Sequence, residues 1–233
     1  MEVGTGRRWP PGSLLSLLAP EHQAGLLGMG TGRSFDRNEI LMREGEPGRA
    51  LFLLLRGCVK VVSIAATGDV RLLAVRLAGD VVGELAALDG DPRSATVVTA
   101  ARTTARVIGH EEFGRYVAAH AAVGAAVQRC VTAKLRQATR FRADAAAGPS
   151  TLARLARVLH QLGASYGQPS PSGLLIDVHL SQPELAALVG VAQASIERAL
   201  GELRARGMVR TGYRQLLISD ADGLRTLAAG EAG

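Results

Sequence analysis

The segment GELAALDGDPRSATVV, residues 83–98, holds Glu84 directly after a glycine and Arg93 directly before two small hydroxyl-bearing neighbours, Ser94 and Thr96, in an otherwise apolar setting. Two chemistries suit those residue types. Glu84 and Arg93 form a structural ion pair, or they hold opposite ends of one ligand that carries both hydroxyls and a phosphate. A phosphodiester in a low-dielectric pocket needs a fixed counter-charge and small donors, and charge-assisted hydrogen bonds are the stronger kind.

A second constellation lies near the C-terminus. Ser181 and Glu184 have the spacing of a capping box, with Pro183 tolerated in the first helical turn. Leu185, Ala186 and Val189 would face inward, Gly190 would allow a sharp turn, and Ile196, Leu200 and Leu203 would be the buried stripe of a second helix. Its exposed side carries Gln193, Ser195, Glu197 and Arg198. Glutamine suits adenine, glutamate accepts from cytosine and arginine suits guanine; Glu197 reads equally as a solvated charge or a partner for Arg198. From Arg198 to Arg214 there are five arginines and one acid, Glu202. Arg210 and Arg214 flank a hairpin around Gly212, where a wing would meet phosphates. Helix, glycine turn, helix and hairpin describe a winged helix-turn-helix that binds double-stranded DNA. An αα-hairpin without a DNA role is the alternative.

The elements that must position these groups follow from pattern. From about Ile40 to Ile108, short apolar runs alternate with glycine turns, as in a small antiparallel barrel or sandwich. Leu14 to Leu27 looks helical. After Gly109 about 35 residues lack proline, and Val127, Val131, Leu135 and Ala138 make one apolar stripe. Such a helix is a core helix packed on the barrel or a dimerisation helix; charges gathering on its other faces favour the latter. Gly148-Pro149 should stop it, which divides the chain into 1–110, 111–148 and 149–233.

The totals set limits. The 233 residues are 47% hydrophobic and only 3% aromatic, so the core must be mostly Leu, Val and Ala. Net charge is +6, and Lys60 and Lys134 are the only lysines; arginine supplies the rest of the positive charge. That permits an acidic partner without requiring one. Cys58 and Cys130 form no C-x-x-C, which gives no support to a metal site or a disulfide framework and points to a reducing cytoplasm. No apolar run approaches a membrane span. No Ser/His/Asp or Cys/His pairing has motif context, so an enzyme is not expected.

With "EGEPG", "LRGCVKV", "GDVVGELAALDGDPRSATV" and "LSQPELAALVGVAQASIERAL" in this order, the chain resembles the Crp/Fnr family of bacterial transcription regulators from about Leu14 to Leu227. The resemblance implies an α+β chain: an N-terminal cyclic-nucleotide-binding β-roll (jelly-roll-like), a long dimerisation helix and a C-terminal winged helix-turn-helix. It implies a homodimer on a palindromic operator, with cyclic AMP as effector rather than a bound cofactor. Carried over, Gly83 and Leu85 approach the nucleotide through their backbone, Glu84 accepts from the ribose 2′-hydroxyl, and Arg93 with Ser94 holds the cyclic phosphate. In cyclic-AMP receptors the long helix offers Thr then Ser to adenine; here Thr139 is followed by Arg140, so one adenine contact carries over and effector identity stays open. Arg198 matches the family's later recognition arginine and Ser195 its phosphate-contacting hydroxyl. Gln193-Ala194 replaces the usual Arg-Glu, which implies a different operator, and "AAAGPS" replaces the family's hinge. RNA polymerase is a further candidate partner, for which the surface loop "ASYGQPSPSG" carries no readable signal. The same fold acting as a ligand-independent or protein-regulated DNA binder, and an interaction module with no DNA role, are the competing readings. Steep salt dependence of DNA binding would exclude the module.

Overall fold

The computed structural model describes residues 9–64, 70–146, 150–176, 180–212 and 215–229. The apolar stretch at the start is a 3-10 turn, Leu15–Leu17, followed by helix α1, Pro20–Gly28. The sequence suggested one helix over this stretch, and Pro20 divides it. Ala19 before it is extended (ψ 154°), as residues preceding proline prefer, and Pro20 itself opens α1.

Eight strands follow: β1 Thr31–Phe35, β2 Ile40–Met42, β3 Ala50–Arg56, β4 Cys58–Ile64, β5 Val70–Leu77, β6 Val81–Val82, then a short helix α2, Glu84–Asp89, and β7 Thr96–Thr99 and β8 Thr103–Gly109. They form two sheets, ordered β1-β8-β3-β6 and β2-β7-β4-β5. Both sheets contribute to one core: Phe35, Phe52, Leu54, Val82 and Ala105 from the first, Met42, Val59 and Val97 from the second. Strand β3 shows why the run LFLLL is apolar throughout. Phe52 and Leu54 point into the roll, while Leu51 and Leu53, on the opposite face, join a second core. That second core is closed by Leu14, Leu15 and Leu26 and by helices farther along the chain through Phe113, Val123, Ala126, Val127 and Cys130.

Those helices are α3, His110–Ala119, and α4, Ala121–Ala146. The sequence read as one continuous helix, and it breaks at His120, which is extended at φ −130° and ψ 91°. The His120 amide donates to Tyr116 O at 3.1 Å, and its own carbonyl accepts from Val123 N at 2.9 Å. One residue therefore closes α3 and opens α4. With 26 residues, α4 spans about 39 Å at 1.5 Å per residue. Its apolar stripe has two fates: Val127 is buried in the roll's core, whereas Leu135 is 66% exposed.

The C-terminal elements are α5 Thr151–Tyr166, β9 Gln168–Ser170, β10 Gly173–Ile176, α6 Gln182–Val189, α7 Gln193–Ala205, β11 Val209–Gly212, β12 Gln215–Ile218 and α8 Ala221–Ala228. Ser150 caps α5 by accepting from Ala153 N at 3.1 Å. Leu155, Leu159, Leu162, Ile176, Ile196, Leu203, Ile218 and Leu224 are buried. The sheet runs β11-β12-β10-β9. Part of the segment read as a loop, Gln168–Ser170, is thus an edge strand paired with β10, a position where Pro169 is tolerated because one side of the strand needs no ladder. The chain divides into two compact units, Met1–Leu135 and Arg136–Gly233. Gly148-Pro149 lies outside the described residues, and among these α4 ends at Ala146. Among the described residues no helix is long and apolar enough to cross a membrane.

Candidate nucleotide and DNA sites

The roll assembles the 83–94 segment around a turn. Gly83 is left-handed (φ 82°) between β6 and α2, a conformation glycine adopts without strain. A Cβ there would lie 2.5 Å from Arg93 Nη1 and 2.9 Å from Met42 Cε. The turn of the "EGEPG" motif packs beneath: Arg93 N donates to Glu46 O and Gly45 N to Arg93 O, both at 2.9 Å. A Cβ on Gly48 would meet Ala86 of α2 at 2.3 Å. Two motifs far apart in sequence therefore form one bed for Arg93. Gly83→Ala is expected to cost about 1–3 kcal/mol of stability through the strained backbone and to push Arg93 out of place. Thermal denaturation and a nucleotide titration would check this; wild-type values in both would contradict it.

Arg93 is 6% exposed. Its Nη1 donates to Gly83 O at 2.9 Å and its Nη2 to Ala50 O. Burial lowers the Arg93 pKa, against the opposing pull of Glu46 and Glu84, and the group remains a cation at neutral pH. The Glu84–Arg93 ion pair considered from the sequence is not formed. Glu84, also 6% exposed, is bound by Lys134 of α4, whose ammonium lies 3.1 Å from Glu84 Oε1 and 3.2 Å from Asp80 Oδ1. Asp80 also faces Arg76 Nε at 3.5 Å and accepts from Cys130 Sγ at 3.7 Å. Burial would depress Lys134, but the carboxylates of Asp80 and Glu84 outweigh it and hold the ammonium above its usual range. Burial likewise pushes the Cys130 thiol up to about 12, so it stays a neutral donor. Lys134 escaped the sequence reading because it lies fifty positions from Glu84. The one available hint was that it is one of only two lysines in an arginine-rich chain.

The remaining residues that the resemblance assigns to the nucleotide are arranged as follows. Gly83 is half-buried, Leu85 is 40% exposed and Ser94 is exposed. Thr139 is on α4, exposed, in the second compact unit, and the Arg140 side chain is outside the described residues.

In the second unit the capping box closes as expected, Glu184 Oε2 accepting from Ser181 N at 2.8 Å. Gly190 ends α6 in the left-handed region (φ 73°). Ile196, Leu200 and Leu203 of α7 are buried, which turns Gln193, Glu197 and Arg198 to the outside, with Ser195 half-buried. Gln193 Nε2 donates to Glu197 Oε1 at 2.8 Å, so glutamine rather than Arg198 is the partner of that acid. Arg198 Nε donates to Ala194 O of its own helix at 3.4 Å. The wing pairs Gly212 with Gln215. Arg210 is exposed on β11, and Arg214 lies outside the described residues. Beside the wing, Arg204 donates to Thr211 Oγ1 at 3.2 Å, and Arg206 pairs with Glu202.

The chain matches the cyclic nucleotide-binding domain over residues 32–120 and the Crp-like helix-turn-helix domain over residues 153–227. It is 28% identical over 190 residues to the CRP-like cAMP-activated global transcriptional regulator of Mycobacterium tuberculosis, covering 82% of this chain and 84% of that one. It is 26% identical over 215 residues to the cyclic AMP receptor protein of Thermus thermophilus, covering 92% and 96%. Among solved structures it superposes on FixK2 from Bradyrhizobium japonicum with TM-score 0.73 at 19% identity, covering 85% and 97%. It also superposes on the c-di-GMP responsive regulator CLP of Xanthomonas campestris with TM-score 0.66 at 21% identity, covering 84% and 98%. Those two likenesses speak for the fold alone. A roll of the nucleotide-binding type followed by a Crp-type winged helix, over most of the length of regulators built the same way, makes this chain a member of the Crp/Fnr family of transcription regulators.

Proposed function

We propose that the chain is a homodimeric DNA-binding regulator, non-enzymatic and cytoplasmic, whose affinity for a palindromic operator is controlled by cyclic AMP. The observation that carries the effector half is Arg93, a buried guanidinium fixed by two backbone carbonyls beside the Gly83 turn. Arg93 is a buried cation whose side-chain hydrogen bonds go to neutral carbonyls, which supports an anionic effector. Two relatives carry cyclic AMP in their names. The exposed Leu135 on α4 supports a second copy as partner. Effector binding would shift the population between DNA-competent and incompetent states. Two-fold symmetry sets half-sites about 34–36 Å apart.

For DNA, Gln193, Ser195, Glu197 and Arg198 read bases and phosphates from α7, and Arg210 and Arg214 hold the backbone. Arg198→Ala is expected to relax specificity at one operator base pair by about 1–3 kcal/mol. Selection from random duplexes with both proteins would show it, and identical motifs would count against the assignment.

A second reading, a ligand-independent regulator of the same fold, is favoured by one observation: the carbonyls of Gly83 and Ala50 already engage Arg93. Calorimetric titration with cyclic AMP, and with cyclic GMP in parallel, separates the two. Micromolar or tighter binding of cyclic AMP is expected at one site per chain. No heat with either nucleotide would leave the ligand-independent regulator.

A further inference from the structure

Lys134 does more than neutralise. Its ammonium donates to Val81 O at 2.5 Å and to Glu84 Oε1 at 3.1 Å, and forms an ion pair with Asp80 Oδ1 at 3.2 Å, all from one short stretch. Asp80 is itself held in place. Its Oδ1 accepts from Val81 N at 3.0 Å, and Arg76 lies on its other oxygen. The four charged groups form a chain, Arg76–Asp80–Lys134–Glu84, that is mostly out of water, where such attractions act at their strongest. At its end, Glu84 Oε1 is taken, and no described residue hydrogen-bonds to Oε2. A compact ammonium suits this convergence better than the planar fork of arginine, in a chain whose other basic residues, Lys60 apart, are arginines.

We propose that Lys134 is a positioning residue of the effector site: by pinning Glu84 Oε1 it presents Oε2 as acceptor for the ribose 2′-hydroxyl, so ribose selectivity depends on a residue of α4 rather than on the 83–94 segment alone. The inference rests on the cyclic-nucleotide reading above. It explains why a carboxylate is buried in a site for an anion: unpinned, Glu84 would be free to turn toward Arg93 and compete with the phosphate for it.

The test compares cyclic AMP with 2′-deoxy cyclic AMP by calorimetry on the full chain. The wild type is expected to prefer cyclic AMP by roughly 10- to 100-fold, the range for one hydrogen bond to a charged group. In Lys134→Met that preference should fall to about threefold or less, chiefly through weaker cyclic AMP binding. A general structural role would weaken both nucleotides alike. Because Lys134→Met removes an ammonium shared by two buried acids, Asp80→Asn/Lys134→Met is measured beside it; this variant removes one of those acids and keeps Glu84. Loss of preference in the double variant supports the proposal. Retained preference, or equal weakening of both nucleotides, overturns it. A wild type that binds both nucleotides equally overturns this inference and leaves the effector reading intact, whereas a wild type that binds neither overturns both.

Discussion

Replacing Arg93 by alanine is expected to weaken cyclic AMP binding by about 2–3 kcal/mol, or roughly 30- to 150-fold in Kd, while the chain still folds. The magnitude is that of a charged hydrogen bond lost from a buried site. Folding survives because Arg93 is held by neutral carbonyls, those of Gly83 and Ala50, and its main-chain bonds to the 45–46 turn do not involve the side chain. Its removal strands no buried acid, since the nearest one, Glu84, keeps Lys134. Titration calorimetry on the two proteins reads the difference, and circular dichroism checks the fold. Equal affinities would remove Arg93 from the site.

Lys134→Met should act in the opposite manner, on stability first. Deleting one member of a buried charge network costs about 3–5 kcal/mol, here because Glu84 loses its ion-pair partner without regaining water while Asp80 keeps only Arg76. At roughly 2–4 °C per kcal/mol for a chain of this size, the melting temperature should fall by about 6–20 °C. A melting temperature within a degree or two of the wild type would mean that the network is solvated and holds nothing. The direction of the Lys134 shift fixes the pH window. A cation held above its unfolded value stabilises fully below that value, near 10.4, and the contribution fades only as pH rises further. Between pH 6 and pH 9 the effect of the substitution should therefore be constant, to about 0.5 kcal/mol.

The two candidate sites were legible in the sequence where their logic is local. Ser181 and Glu184 state a helix start three residues apart, and Ile196, Leu200 and Leu203 state a buried stripe that leaves Gln193, Glu197 and Arg198 outside. Glu84 and Arg93 stand close enough in one motif to be read together. What stayed hidden depends on long-range or weakly patterned features. Lys134 reaches Glu84 only because Val123, Ala126, Val127 and Cys130 dock α4 on the roll, and no spacing rule connects them. Strand β1 was missed because four of its five residues are exposed, so it lacks the apolar alternation that marks a strand. The break at His120 was missed because a histidine between alanines carries no breaker signal; its backbone and ring bond to Tyr116 O instead of continuing the helix. Thr139 was placed by resemblance alone, and the residue after it, Arg140, departs from the family's hydroxyl pair.

The most direct test of effector-controlled DNA binding is an anisotropy titration of a fluorescent palindromic duplex, recovered by selection from random DNA, with and without saturating cyclic AMP. Differential affinity of the two states for the effector should appear as operator binding at least about tenfold tighter with cyclic AMP, falling steeply as salt rises. Identical operator affinity with and without the nucleotide would contradict effector control, and no enriched duplex under either condition would contradict the DNA-binding assignment itself.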